Sequence, residues 1–289
     1  MKRSSREYLI AFNMVSGIGG RRLFSLKKHF GSLEKAWRAP LPALLKVPGI
    51  GRKTAAHFCK TRGKICPTAE EAWAKREGAR IITIGEAGYP KFLERLFVPP
   101  PVLYCRGSLP RRAGIAVVGT RKPSQAGIRQ AYDFSSALAK NNLPIISGLA
   151  RGIDSYAHRG ALAAGGITAA VLGSNIGDIY PPEHRALADK IAQRGAVISE
   201  FSSRCRIMPG NFLRRNRIIA GLARAVLVVQ AGERSGAVNT ANWGLELGLD
   251  IWAIPGEISD PRRRGTNNLI KQGAFLAESA ADLMKNLGV

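Results

Sequence analysis

From Ala113 onward the chain repeats one unit, a short unbroken apolar run that stops at a glycine or serine and is followed by a helical stretch. Ile115 to Val118 stops at Gly119, Ile145-Ile146 at Ser147-Gly148, Ala169 to Leu172 at Gly173, and Ala196 to Ile198 at Ser199. Ala225 to Val229 and Ile251 to Ile254 complete the series, and amphipathic helices such as Gln125 to Ala139 and Tyr156 to Ala164 lie between. Strands that are apolar throughout need cover on both faces. Strands joined by helices cross over right-handed into a parallel sheet. The expected fold class is therefore α/β, a Rossmann-like doubly wound, mainly parallel sheet. In such a sheet ligands sit beyond the carboxyl ends of the strands, where the glycine-marked turns gather.

Residues 1–65 have a different grammar: short helices broken by glycine, with apolar residues at helical spacing (Leu9, Phe12; Leu23, Leu26, Phe30; Leu33, Ala36, Trp37). They are expected to form a small all-helical domain of helix-hairpin-helix type. Residues 66–112 read as a connecting segment with extra strands at Ala79 to Ile84 and Pro101 to Tyr104, punctuated by Pro99 to Pro101 and Gly107 to Pro110. That leaves 113–289 as the Rossmann-like domain.

Charge narrows the class of partner. The 289 residues carry 44 Lys plus Arg against 20 Asp plus Glu, a formal charge of +24. A surface that basic attracts polyanions, nucleic acid before anionic membrane. Hydrophobic residues make up 45%, enough for a packed core. After Met1-Lys2-Arg3 the apolar stretch Tyr8 to Phe12 is too short for a secretory signal, and no stretch approaches the roughly 20 residues of a membrane span. Cys59, Cys66, Cys105 and Cys205 form no C-x-x-C pair, so neither a zinc site nor a disulfide framework is expected. The expectation is a reduced, cytoplasmic protein without metal or cofactor.

Several turns carry chemistry. Val47-Pro48-Gly49-Ile50-Gly51-Arg52-Lys53 has the form of a DNA-binding hairpin, so Gly49, Gly51, Arg52 and Lys53 are a possible secondary DNA contact; a purely structural hairpin is the alternative. Val15-Ser16-Gly17-Ile18-Gly19, followed by Arg21 and Arg22, is a weaker copy. Gly119-Thr120-Arg121 follows a strand and is not G-x-G-x-x-G, so a dinucleotide fingerprint is absent; a glycine turn with an arginine suited to phosphate remains. Ser147, Gly148, Arg151 and Gly152 make a second such turn, with Asp154 expected as the N-cap of the helix carrying His158. Capping and helix packing account for Asp154 and His158 better than a shared metal does.

Phe212-Leu213-Arg214-Arg215-Asn216-Arg217 is read as the basic start of an apolar helix. Arginines there suit phosphates, Asn216 suits a base edge, and Phe212 suits stacking on an unpaired base. Cations near a helix N-terminus are unfavourable unless an anion joins them, which favours a binding role over a merely solvated face. Ser235-Gly236 opens a further helix as a phosphate cup, and Lys271 in Leu269-Ile270-Lys271-Gln272-Gly273 is one more candidate cation.

In order along the chain, Gly88-Tyr89-Pro90, Val118-Gly119-Thr120-Arg121, Ser147 to Asp154 with Ala157-His158, Ala170 to Gly173, Tyr180-Pro181, Ser199-Glu200, Arg215 to Gly221, Ser235-Gly236, Pro255-Gly256 and Leu269 to Ala274 together resemble the DprA/Smf family of DNA-processing proteins. The resemblance covers about residues 80 to 275. It implies a Rossmann-like domain that holds single-stranded DNA, preceded by a helical domain of hairpin or sterile-alpha-motif type. It further implies protection of incoming strands during natural transformation in competent cells, transfer of that DNA to a RecA-type recombinase, and a homodimer. By position, Arg121, Arg151 and the Phe212 to Arg217 segment fall on the family's DNA pocket. Thr120 stands where Ser is more usual and keeps the hydroxyl. Many members add a C-terminal winged helix; this sequence ends at Val289 soon after a helix expected at Ala280 to Leu287, so a short form is expected.

Two other readings compete with DNA binding without catalysis. A nucleotide-processing enzyme of the lysine-decarboxylase-like phosphoribohydrolase type would need a carboxylate beside the sugar, for which Glu200, Glu233 and Asp154 are the candidates. A protein-only scaffold would use the charge for solubility.

Overall fold

The computed structural model describes residues 3–288; Met1 and Lys2 of the basic start, and Val289, lie outside the described residues. The chain opens with α1 (Ser5–Asn13), α2 (Gly20–Phe30), α3 (Leu33–Arg38), α4 (Leu41–Leu44), α5 (Arg52–Thr61) and α6 (Pro67–Arg76). Ser4 and Glu7 close a capping box on α1, and Ser32 caps α3. The two G-h-G turns lie ahead of α2 and α5, as the hairpin pattern predicts. The Arg22 guanidinium ties them together, donating to the carbonyls of Gly49 at 2.8 Å and Gly17 at 2.5 Å. Phe12, Trp37 and Phe58 stack and meet edge-on at the centre of these helices, with ring centroids 4.9 to 5.5 Å apart.

β1 (Arg80–Thr83) and β2 (Val102–Gly107) follow. Strand and helix then alternate through β3 (Gly114–Val118), α7 (Gln125–Lys140), β4 (Ile145–Ser147), α8 (Ile153–Ala163), β5 (Thr168–Val171), α9 (Arg185–Arg194) and β6 (Ala196–Ser199). The second half runs α10 (Pro209–Gly221), β7 (Ala223–Val228), α11 (Gly236–Glu246), β8 (Asp250–Ala253), α12 (Arg264–Lys271), β9 (Phe275–Leu276) and α13 (Ala280–Asn286). The nine strands among the described residues form one sheet in the order β1-β2-β6-β5-β4-β3-β7-β8-β9. From β6 to β9 every pairing is parallel; β1 and β2 add an antiparallel edge.

The alternation along β3 shows why its sequence is apolar throughout. Ala116 and Val118 face a core built with α10 and α11, while Ile115 and Val117 face one built with α7 and α8. Burying each of these valine and isoleucine side chains contributes about 1.5–3 kcal/mol. The helical part shares its core with the sheet, for Phe12, Trp37 and Phe58 belong to one apolar cluster with Val102, Tyr104 and Val197. Tyr104 also donates its hydroxyl to Glu70 of α6 at 2.8 Å. From β3 the chain steps outward through β4, β5 and β6, then returns over α10 to place β7 on β3's other side. That reversal opens a crevice beyond the ends of β3 and β7. The pair Phe275–Leu276 was not legible as a strand: it is two residues long and its side chains are half exposed.

Candidate nucleic-acid interface

A cleft of about 490 Å³ occupies that crevice. Four segments wall it: Val118 to Lys122 after β3, Ala150 and Asp154 after β4, the Phe212 to Ile219 face of α10, and Ser235 to Thr240 at the start of α11.

The first turn is fixed from beneath. Thr120 donates its amide to the Gln230 carbonyl at 2.7 Å, and its hydroxyl accepts from the Lys122 amide at 3.2 Å. The fully buried Gln230 side chain accepts from the Ser124 amide at 3.0 Å and donates to the Ser124 hydroxyl, which in turn caps α7 by accepting from the Gly127 amide at 3.1 Å. Arg121 and Lys122 are thereby left exposed at the mouth.

The second turn is held by Asp154, and here the expectation needs correction. Gly152, not Asp154, is the residue before α8, and it makes no side-chain cap. Asp154 lies in the first turn of the helix and reaches back, accepting from the amides of Gly148 (3.1 Å) and Ala150 (3.4 Å). Its partner across the cleft floor is Arg215. That guanidinium is buried and donates to the carbonyls of Gly148 (2.6 Å) and Val171, the last residue of β5. Burial pulls Arg215 down to about 10 against the opposing pull of Asp154, so it stays cationic at neutral pH. Burial likewise pushes the Asp154 carboxyl above its ordinary value, with Arg215 and the two amides opposing. Gly148 is required by this contact, since a Cβ there would run into the Arg215 guanidinium.

The basic segment is also placed differently from the expectation. α10 starts at Pro209, so Phe212 to Arg217 lie inside the helix and point in opposite directions. Phe212, Arg215 and Asn216 face the cleft; Arg214 and Arg217 point away, and both donate to Glu200, at 3.0 and 2.6 Å. Arg215, Asn216 and Arg217 are all buried. Asn216 spends its amide on the Gly236 carbonyl (3.0 Å) and Asn239 Oδ1 (3.2 Å), fastening α10 to the start of α11. Ser235 caps α11 by accepting from the Val238 amide at 3.2 Å.

What remains open to a ligand is an aromatic and cationic mouth. Phe212 is half-buried against Gly173, where an added Cβ would come within 2.5 Å of its ring. The Tyr180 ring lies 5.5 Å from it, and the Arg121 guanidinium stands 5.4 Å over it. Arg121, Arg151 and Tyr180 also wall a small adjoining hollow of about 20 Å³. Arg151 is exposed and pairs with Glu183 at 2.5 Å. Lys122, Tyr180 and Gln230 are part of this arrangement and were missed in the sequence. Lys122 neighbours Arg121 and could have been found; Tyr180 was marked only as part of the family resemblance, without a site role, and Gln230 gave no local sign.

Two groups of candidates are not brought here. Lys271 is the exposed last residue of α12 and lines no wall of the cleft; Gly49, Gly51, Arg52 and Lys53 lie on the helical part, outside the cleft walls. The carboxylates of the enzyme reading are scattered. Glu200 is buried between Arg214 and Arg217, Glu233 is exposed, and Asp154 is the one acid among the described residues lining the cleft. His158 is engaged elsewhere, with Nδ1 2.7 Å from the Thr168 hydroxyl. The arrangement can hold phosphate oxygens with Arg121, Lys122 and the turn amides while a base lies on Phe212 or Tyr180. Among the described residues no helix is long and apolar enough to cross a membrane.

Comparison with known proteins bears on the family and the fold. Residues 80–288 match the family model described as DNA recombination-mediator protein A. The chain is similar to protein Smf of Synechocystis, 38% identical over 294 residues, covering 100% of this chain and 74% of the relative. The X-ray structure of DNA processing protein A from Streptococcus pneumoniae superposes with a TM-score of 0.82 at 31% identity, over 99% of this chain and 98% of that one. DNA processing protein A from Helicobacter pylori, a protein with a described single-stranded DNA binding mode, matches with a TM-score of 0.66 at 28% identity, over 73% of this chain and 97% of that one.

Proposed function

Because this chain belongs to the DNA recombination-mediator protein A family, we propose that it binds single-stranded DNA in the cleft beyond β3 and β7. The observation that carries the reading is the stack of Arg121 over Phe212 beside Tyr180. A cation and two open rings at the mouth of an amide-lined crevice suit a polymer whose phosphates and unpaired bases arrive together. A duplex hides its base faces and cannot use the rings.

The protein acts by holding the strand, without catalysis. Asp154, the acid of the cleft, is pinned by two amides opposite Arg215 and has no freedom to serve as a base. Protection of incoming DNA, its transfer to a RecA-type recombinase in transformation, action in the cytoplasm, and assembly as a homodimer complete the proposed role. The Helicobacter pylori relative's single-stranded DNA binding mode supports the first step of that sequence.

The test is a fluorescence-anisotropy titration of labelled oligo-dT and of its duplex, at two salt concentrations, with Arg121→Ala alongside. The expected result is tight, salt-sensitive binding that prefers the single strand and collapses in the variant. Binding indifferent to the substitution moves the site to the N-terminal hairpins. No binding at low salt, with hydrolysis of a nucleoside monophosphate, would favour the enzyme reading instead.

A further inference from the structure

The main cleft uses one side of α10, and the other side is lined with charge that this role leaves unexplained. On an α-helix Phe212, Arg215, Asn216 and Ile219 share a face, while Arg214 and Arg217 lie about half a turn away. Behind α10, the start of α2 (Gly19 to Arg22) comes against Arg214 and Arg217 around a cavity of about 330 Å³. A Cβ at Gly19 would stand 3.5 Å from the Arg214 guanidinium. A neighbouring cleft of about 520 Å³ shares Gly19, Arg22 and Arg214 with this cavity and adds Arg204 and Arg206. Glu200, the one acid among the described residues lining these two cavities, is already engaged by Arg214 and Arg217.

Two independent observations call for an anion here. α2 is 11 residues long and begins without a side-chain cap and without an acid in its first turn; the exposed Arg21 stands there without a side-chain bond among the described residues, unfavourable against the helix dipole unless a negative group joins it, while Arg22 is held by the Gly17 and Gly49 carbonyls. Arg217, in the cavity wall and 6% exposed, keeps a buried N–H on Nη1 with no hydrogen-bond partner. A buried guanidinium donor left unpaired is costly, and an anion's oxygen would satisfy it.

We propose that this cavity is a second phosphate-binding subsite, which takes the sugar-phosphate backbone of a single strand after it leaves the main cleft. The inference rests on the single-strand reading above. The strand crosses the N-terminal shoulder of α10, where Met208 (61% exposed) lines the rear cleft and Leu213 (53% exposed) the main one, offering apolar contact to bases in between. The helical part thus contributes a wall of the DNA path through its first, weaker hairpin turn.

The test compares oligo-dT of about five and about twenty nucleotides on the unmodified protein, on Arg121→Ala, and on the double variant Arg21→Ala/Arg206→Ala. Arg21 and Arg206 are exposed and make no side-chain bond among the described residues, so thermal unfolding of the double variant should match the parent. The expected result is unchanged affinity for the short strand, roughly tenfold weaker binding of the long one, and a shallower dependence on salt by about 1–2 in the log–log slope. Equal losses at both lengths, no loss at either, or a loss confined to duplex would overturn the subsite while leaving the main cleft standing. If Arg121→Ala binds both lengths as the parent does, the reading of the main cleft as the single-strand site falls, and this inference with it.

Discussion

Arg215 occupies the most consequential position at the scale of single residues. It is an arginine by sequence and a structural strut by environment, closing the ends of β4 and β5 from below while balancing Asp154. Arg215→Ala leaves that acid buried without its counter-charge and takes the guanidinium's hydrogen bonds from two carbonyls. It should lower the unfolding free energy by about 3–5 kcal/mol, read by denaturant titration, with DNA binding lost as a consequence. Gly148→Ala should be milder, about 1–3 kcal/mol in the same titration, because the guanidinium must shift to admit a methyl group. His158 makes a pH prediction. The Thr168 hydroxyl donates to the Ile145 carbonyl at 2.8 Å, so it accepts from His158 Nδ1–H, and the buried Nε2 is left unprotonated without a partner. Burial, with His184 and Arg215 nearby, depresses its pKa from 6.5 to about 3. Between these values the unfolded chain binds a proton that the folded chain refuses. Stability is therefore intact above pH 6.5 and falls as pH drops, by up to about 1.4 kcal/mol per unit from this group. His158→Gln should flatten the stability profile between pH 6.5 and 5, measured by urea unfolding at stepped pH.

At the scale of elements, α10 sorts its residues by direction. Arg121 and Phe212 meet at the same mouth but act through different forces, and their losses should be separable. Phe212→Ala should cost about 1–3 kcal/mol in affinity for oligo-dT with little change in salt slope, since stacking releases no counterions. Arg121→Ala should reduce the slope by about 1 for a lost phosphate contact. Gly173→Ala is the indirect version of the first variant. Its methyl group would press on the Phe212 ring, so base stacking should weaken although no residue touching the strand has changed. Quenching of a fluorescent base analogue against salt separates these three outcomes.

For the whole molecule, the shared core matters more than the change of grammar near residue 65. Phe12, Trp37 and Phe58 pack in one cluster with Val102, Tyr104 and Val197 of the sheet, and α1 and α6 cover its β1-β2 edge. Removing residues 1–65 would expose that apolar surface and strip α1 from the β1-β2 edge, leaving α6 there alone. The remainder should unfold at a markedly lower temperature and bind a hydrophobic dye, as scanning calorimetry and dye fluorescence would report. Unchanged unfolding would mean that the Rossmann-like part carries its own complete core.

The sequence by itself determined the α/β class, the parallel sheet and the side on which the cleft opens, because apolar runs covered on both faces and ended by glycine allow few other solutions. It also marked Arg121, Gly148, Phe212 and Ser235 as members of one site, since each sits at or beyond the carboxyl end of its own strand. It could not say which arginines are free. Arg214, Arg215, Asn216 and Arg217 read alike as a basic, ligand-facing string, yet the turn of α10 sends two arginines to Glu200 and sinks a third beneath Gly148. Asp154 looked like a cap and proved to be a brace for the turn before it. Nor could local pattern join Tyr180 to Phe212, or the first hairpin turn to the back of α10, for those partners are brought together only when the sheet has formed. A charge pattern records what a segment carries; burial and direction, which decide whether a guanidinium meets solvent, a ligand or a carbonyl, are properties of the packed chain.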